Sequence, residues 1–274
     1  MAVGRRIEPK ELCGDSAMFS LVNQTAIITG AASGIGAATA RRFARAGSNL
    51  VLAAYSPDGH DIDSVAADVT EAGAKAIIVE TDVGSTISVE RLVEQTLSAF
   101  SQVDIAIANA AIARRHSAMQ LDDEAWNETM NVNLHGVWRL FRAVLPSMTQ
   151  KRHGRLLSTS SVAGPFEAWD QHVHYSAAKS GIVGMMRSLA SEVGPNGITV
   201  NAVAPGIIET PQTLDSDNSL GATGIANTAK VQPVRRKGVP DDIAAAYHFL
   251  ASKDAGFVTG HVLLVDGGRT LLST

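Results

Sequence analysis

The chain has 274 residues, 45% hydrophobic and 18% charged, with a formal net charge of −4. That length suits one large α/β domain or two small ones, and the weak negative charge leaves no electrostatic footprint for nucleic acid. Cys13 is the only cysteine, which excludes an intrachain disulfide and points to a reducing, cytoplasmic setting; no apolar run approaches the roughly 18 residues of a membrane helix.

The first 20 residues, MAVGRRIEPKELCGDSAMFS, scatter their charges and lack the apolar core of a secretory signal. They read as a polar N-terminal extension to a domain over 21–274. From Gln24 onward, short apolar runs alternate with longer amphipathic stretches. TAIIT (25–29), NLVLAA (49–54), AKAIIVE (74–80), VDIAIAN (103–109), GRLLSTS (154–160), ITVNAVA (198–204) and HVLLVD (261–266) read as buried strands. Helix-length segments separate them, the longest running from Asp122 to Gln150. This alternation predicts an α/β fold: a single Rossmann-type, doubly wound domain with a seven-stranded parallel sheet and helices on both faces. There is no internal repeat and no linker rich in Pro, Gly or Ser. Residues 206–240 are long, polar and weakly patterned, and are expected to form a substrate lid or binding loop.

Two stretches carry chemistry. TGAASGIG (29–36) joins the first strand to the first helix, and Gly30, Gly34 and Gly36 allow a tight turn with close backbone approach. It is either a plain strand-to-helix turn or a phosphate cradle at a helix N-terminus. In YSAAK (175–179), Tyr175 and Lys179 stand four apart, on one face of a helix. A nearby cation favours an ionised phenol, so the pair is a tuned proton donor or a coincidence of surface residues.

Together with NAAI (109–112), MNVNLHGV (130–137), STSSVAG (158–164), GITVNAVAPG (197–206) and VTGHVLLVDGG (258–268), these stretches resemble the successive motifs of the short-chain dehydrogenase/reductase family, within it the 3-oxoacyl-[acyl-carrier-protein] reductase-like branch. The resemblance spans Gln24 to Gly268. It implies an NAD(P)(H)-dependent oxidoreductase that interconverts a ketone and a secondary alcohol by hydride transfer. The catalytic set would be Asn133, Ser161, Tyr175 and Lys179. Tyr175 would be the general acid/base, its pKa lowered by Lys179 and, with oxidised cofactor bound, by the nicotinamide cation. Tyr175 and Lys179 would both count among the cofactor contacts, Lys179 holding the nicotinamide ribose. Ser161 would orient the substrate oxygen, and Asn133 would kink its helix and hold a relay water. Read alone, Ser161 is equally a strand-end hydroxyl and Asn133 a buried helix amide.

The resemblance also assigns cofactor contacts. Gly30, Ser33, Gly34, Ile35 and Gly36 would line the pyrophosphate, and Asp82 and Val83 would meet the adenine. Asn109, Ala110 and Ala111 would pack along the adenine-side ribose, although the family usually has Asn-Asn-Ala-Gly where this chain has Ala108-Asn109-Ala110-Ala111. Pro205, Gly206, Ile207 and Thr210 would close over the nicotinamide. The second strand ends in Ala54, Tyr55 and Ser56, without the acid that receives the ribose of NAD(H). Tyr55 and Ser56 offer hydroxyls to a 2′-phosphate, so NADP(H) is favoured and NAD(H) remains possible, although no arginine stands at Ser33 or at that edge.

The remaining residues are read more plainly. His172 and His174 lack a third ligand and are expected as exposed loop histidines, with no metal. Asp122, Asp123 and Glu124 suit a helix N-terminus, and KRHGR (151–155) a solvated turn. Phe166 and Trp169 would fall at the substrate mouth. A small-molecule ketone or alcohol is the expected partner, with no nucleic acid and no membrane, and relatives suggest a homotetramer. The first alternative is a 3-oxoacyl-[acyl-carrier-protein] reductase. Asn196, where a basic residue would meet the acidic carrier, speaks against it. The second is a non-catalytic nucleotide sensor, which would be expected to lose Tyr175 or Lys179.

Overall fold

A strand covered on both faces must be apolar at nearly every position, because its side chains alternate between them. The central strands meet that demand in the computed structural model, which describes residues 18–272. The strands are β1 (Thr25–Thr29), β2 (Asn49–Ala54), β3 (Ala76–Glu80), β4 (Ile105–Ala108), β5 (Gly154–Thr159), β6 (Ile198–Pro205) and β7 (Val262–Val265). They form one parallel sheet in the order β3-β2-β1-β4-β5-β6-β7. The expected seven-stranded, doubly wound architecture is present.

The helices are α1 (Gly34–Arg45), α2 (Ile62–Glu71), α3 (Thr86–Phe100), α4 (Asp123–Met130), α5 (Gly136–Lys151), α6 (Val173–Val193), α7 (Pro211–Leu214), α8 (Gly221–Val231) and α9 (Pro240–Ala251). Ala26, Ile28, Leu50 and Leu52 face α1, α2 and α9, where Phe43, Val69 and Tyr247 complete one core. Ile27, Val51 and Ala53 face α3, α5 and α6, where Leu92, Phe141 and Met186 complete the other. β1 and β4 are neighbours from which the chain winds outward in opposite directions. Their carboxyl ends therefore open a crevice suited to a ligand.

Several local expectations are corrected. The edge strands β3 and β7 are only partly buried: Ile78 and Leu264 face outward, because an edge has fewer covering elements. The stretch 206–240 is not irregular throughout; Thr210 caps α7 and Ile225 of α8 is buried. With so few buried apolar positions, α8 shows little periodicity in sequence. The helix read through 122–150 is interrupted by a π turn at Asn131–His135. Asp122 does cap α4, accepting from the Ala125 N–H at 2.9 Å. In KRHGR, Arg155 is buried within β5 and Lys151 pairs with Asp104, so the stretch is more than a solvated turn.

Most of the polar extension, residues 1–17, lies outside the described residues. Its end docks. The Phe19 N–H donates to Asp254 Oδ2 at 2.8 Å, its ring meets His248 and Phe249 edge-on, and Leu21 is fully buried. Among the described residues, no helix is long and apolar enough to cross a membrane.

Candidate active site

The crevice begins at the turn after β1. Gly30 and Gly34 have φ of +66° and +50°, in the left-handed region that favours glycine. A Cβ on Gly36 would stand 2.0 Å from the Gly30 carbonyl oxygen, so the turn closes only with glycine at 36. Ser33 is the N-cap of α1, yet its side chain makes no capping hydrogen bond. The first-turn N–H groups, Ile35 included, are thus open to an outside acceptor such as a diphosphate. Thr210 leans over this turn, its Cγ2 3.2 Å from where a Gly34 Cβ would be. The backbone present therefore fits a dinucleotide.

The next residues along the crevice have divided duties. Asn109 ties strands together: Nδ2 donates to the Thr29 carbonyl at 3.1 Å, and Oδ1 accepts from Thr159 Oγ1 at 3.0 Å. The Ala110 N–H donates to Thr29 Oγ1 at 3.2 Å, and its Cα abuts Gly30. Ala111 follows, half-buried. Asp82 accepts from the Gly84 N–H at 2.7 Å and is exposed, whereas Val83 is buried over Gly136. Pro205 closes β6, and the Gly206 N–H donates to the Val265 carbonyl at 3.0 Å.

At the end of β2, Tyr55 is 44% exposed and Ser56 opens a short turn. Here the structure corrects an expectation. Glu80, paired in register with Ala54, takes hydrogen bonds from both the Ser56 N–H, at 3.0 Å, and its hydroxyl. A carboxylate does stand at this edge, supplied by the neighbouring strand. The Ser56 hydroxyl is already engaged.

The catalytic candidates converge. Tyr175 and Lys179 share one face of α6, with Nζ 5.5 Å from the ring centroid and donating to the Thr159 carbonyl at 2.8 Å. Ser161, just past β5, accepts from the Ala163 N–H at 3.1 Å. In the chain without cofactor, Lys179 does not lower the phenol pKa. Burial pushes it up to about 12, against hydrogen bonding to Ser161 and Gln212, and burial pulls Lys179 down to about 7. Desolvation penalises both charged forms and is the largest cause of each shift. Asn133, in the π turn, is fully buried; its Oδ1 accepts from the Ile112 N–H and its Nδ2 donates to the Ile112 carbonyl, both at 2.8 Å. Its amide therefore anchors the loop after β4.

A cleft next to these groups is lined by Ser161, Trp169, Tyr175, Gly206, Ile207 and Gln212, and Glu167 and Arg269 also line it. Trp169 belongs to the cleft as expected; Phe166 does not line it and is 45% exposed. The histidines overturn their expectation, both being fully buried. His172 stacks on Trp169 at 3.6 Å and bridges the Asp170 and Asn218 carbonyls, so the segment between α7 and α8 covers it. His174 meets the His116 ring edge-on at 5.6 Å, and burial holds its pKa below the ordinary value. Among the described residues no cluster suits a metal ion. Sequence reasoning missed Glu167, Gln212 and Arg269. Their separation along the chain left no spacing to read.

The family profile described as "Enoyl-(Acyl carrier protein) reductase" matches residues 30–270. The (2S)-[(R)-hydroxy(phenyl)methyl]succinyl-CoA dehydrogenase subunit BbsD of Thauera aromatica is 40% identical over 93% of this chain and 100% of its own length. The 3-oxoacyl-[acyl-carrier-protein] reductase FabG of Escherichia coli K12 is 40% identical over 90% of this chain and 97% of its own. Among solved structures, levodione reductase superposes with a TM-score of 0.86 at 32% identity, covering 92% of this chain and 99% of that one. A short-chain type dehydrogenase/reductase from Mycobacterium marinum gives the same score at 29% identity, covering 93% and 98%.

Proposed function

This chain belongs to the short-chain dehydrogenase/reductase family, oxidoreductases acting on CH–OH groups, and from that premise we propose that it interconverts a ketone and a secondary alcohol on a free small molecule. The observation that carries this reading is the juxtaposition of Ser161 and Tyr175 on one cleft, with Lys179 beneath the phenol. When bound, the nicotinamide dinucleotide supplies or accepts the hydride. The residues do the rest. Ser161 donates to the substrate oxygen and fixes its position. Tyr175 gives its phenolic proton to that oxygen in reduction and takes it back in oxidation. Lys179 would hold the nicotinamide ribose, and would lower the cost of phenolate when its own charge is restored. The π turn at Asn131–His135 interrupts the regular carbonyl ladder, which supports a relay water beside Asn133.

The dinucleotide would lie along Gly30, Ser33, Gly34, Ile35 and Gly36, past Asp82, Val83, Asn109, Ala110 and Ala111, to Pro205, Gly206, Ile207 and Thr210. The absent β2 acid supports NADP(H). Glu80 opposes it more strongly, because it places a carboxylate at that edge and occupies both Ser56 donors. We therefore read the adenosine end as preferring NAD(H).

A carrier-bound 3-oxoacyl substrate is the second reading, favoured by the FabG resemblance and opposed by Asn196. A cytoplasmic homotetramer fits the single cysteine and the exposed Trp138 on α5. The test is a panel of ketones, alcohols and 3-oxoacyl-carrier substrates assayed with both cofactors. Turnover of free ketones or alcohols supports the proposal; no turnover with any member removes it.

A further inference from the structure

Glu167 and Arg269 are the charged side chains on the wall of the cleft that holds Ser161 and Tyr175. Arg269 Nε donates to Glu167 Oε2 at 2.8 Å, with the two side chains 32% and 23% exposed. The pair is part-buried on that wall, so whatever it adds to stability it also sets the charge of the cleft. Charged groups in an otherwise mostly neutral pocket orient a ligand.

Both backbones are held in place. The Glu167 N–H donates to the Val162 carbonyl at 2.8 Å, and the Glu167 carbonyl accepts from the Gly164 N–H at 2.8 Å. Arg269 follows Gly267 and Gly268, both at positive φ. Asp266 clamps this turn, taking hydrogen bonds from the N–H groups of Gly268 and Thr270 at 2.9 Å and from the Thr270 hydroxyl at 2.8 Å. Glu167 engages only the Nε edge of the guanidinium. Among the described residues, Nη1 and Nη2 make no hydrogen bond, which leaves the fork that matches a carboxylate.

We propose that Arg269, oriented by Glu167, is the receiving site for a carboxylate carried by the substrate, so that the substrates are oxo- or hydroxy-carboxylates. This rests on the ketone/alcohol reading and names its substrate class. Glu167 aims the guanidinium through Nε and tempers its charge, so that a neutral analogue is disfavoured chiefly by lost hydrogen bonds. Removing the Glu167 charge should strengthen anion binding; removing the Arg269 charge should abolish the preference.

The test is calorimetric titration of the protein, with and without NAD(H), using short straight-chain oxo-carboxylates and their methyl esters, followed by turnover assays on the same compounds. Wild-type protein is expected to bind the acids about tenfold more tightly than the esters, with the ratio falling to within about twofold in R269Q. E167Q is expected to move acid affinity in the opposite direction, upward, which tests the idea even where R269Q fails to fold. Equal binding of acid and ester, no binding of either, or a preference that survives R269Q overturns the proposal. Selective acid binding without turnover leaves the carboxylate site standing and removes the hydride-transfer reading; turnover without acid preference does the reverse.

Discussion

Lys179 Nζ lies 5.5 Å from the centroid of the Tyr175 ring, and both side chains are almost completely buried. Desolvation by burial dominates both, raising the phenol to about 12 and lowering the ammonium to about 7. Near neutral pH the phenol therefore keeps its proton, ready for donation, while Lys179 is poised to change charge.

Tyr175→Phe should lower turnover by about a hundredfold or more, the scale of losing a general acid. Cofactor affinity should change little, because Phe keeps the ring and the glycine turn and Lys179 would carry most of the hold on the dinucleotide. Steady-state kinetics and a cofactor titration check this together. Retention of half the wild-type activity would remove Tyr175 as the acid.

Lys179 also makes stability depend on pH. Its folded pKa of about 7 lies below the 10.5 of an ordinary lysine. Between those values the unfolded chain binds a proton that the folded one lacks, so stability rises with pH, with a slope of up to about 1.4 kcal/mol per pH unit. Tyr175, with its pKa raised from 10.0, acts oppositely and only above pH 10. Urea denaturation of the cofactor-free protein from pH 7 to 9 should show the rise, and Lys179→Met should flatten it. Equal slopes in both proteins would contradict the buried neutral lysine.

Glu80 should govern cofactor choice. Michaelis constants should favour NAD(H) in the wild type, and Glu80→Gln should shift preference toward NADP(H) by about tenfold, since it removes a charge that a 2′-phosphate would oppose. Ala54→Asp should push the other way, adding a ribose contact as well as repulsion. A wild type that strongly prefers NADP(H), with Glu80→Gln silent, would reverse this reading.

A chain beginning at Met18 should fold and turn over as the full chain does, because it keeps Phe19 and Leu21. One beginning at Val22 loses the buried Leu21 and the aromatic contact of Phe19 with His248 and Phe249. It should be less stable by about 2 to 3 kcal/mol, the scale of one buried aliphatic side chain plus a partial aromatic contact. Matched denaturation curves for the three lengths decide this.

The strands, their parallel arrangement and the glycine turn were legible in the sequence because each is a local pattern: apolar runs of strand length, helices between them, glycines where a strand meets a helix. The spacing of Tyr175 and Lys179 showed only that they share one helix face; their reading as a catalytic pair came from the ordered series of motifs that resembles the family. What depends on distant segments meeting was decided by the tertiary structure alone. Glu80 reaches Ser56 only because β3 pairs with β2, and Arg269 reaches Glu167 only because the turn after β7 comes against the loop after β5. His172 and His174 read as exposed loop residues until the segment between α7 and α8 is seen to fold over His172. The raised phenol pKa belongs to this class too. The sequence shows a cation four residues away, but the depth of burial that raises the phenol is a property of the assembled core.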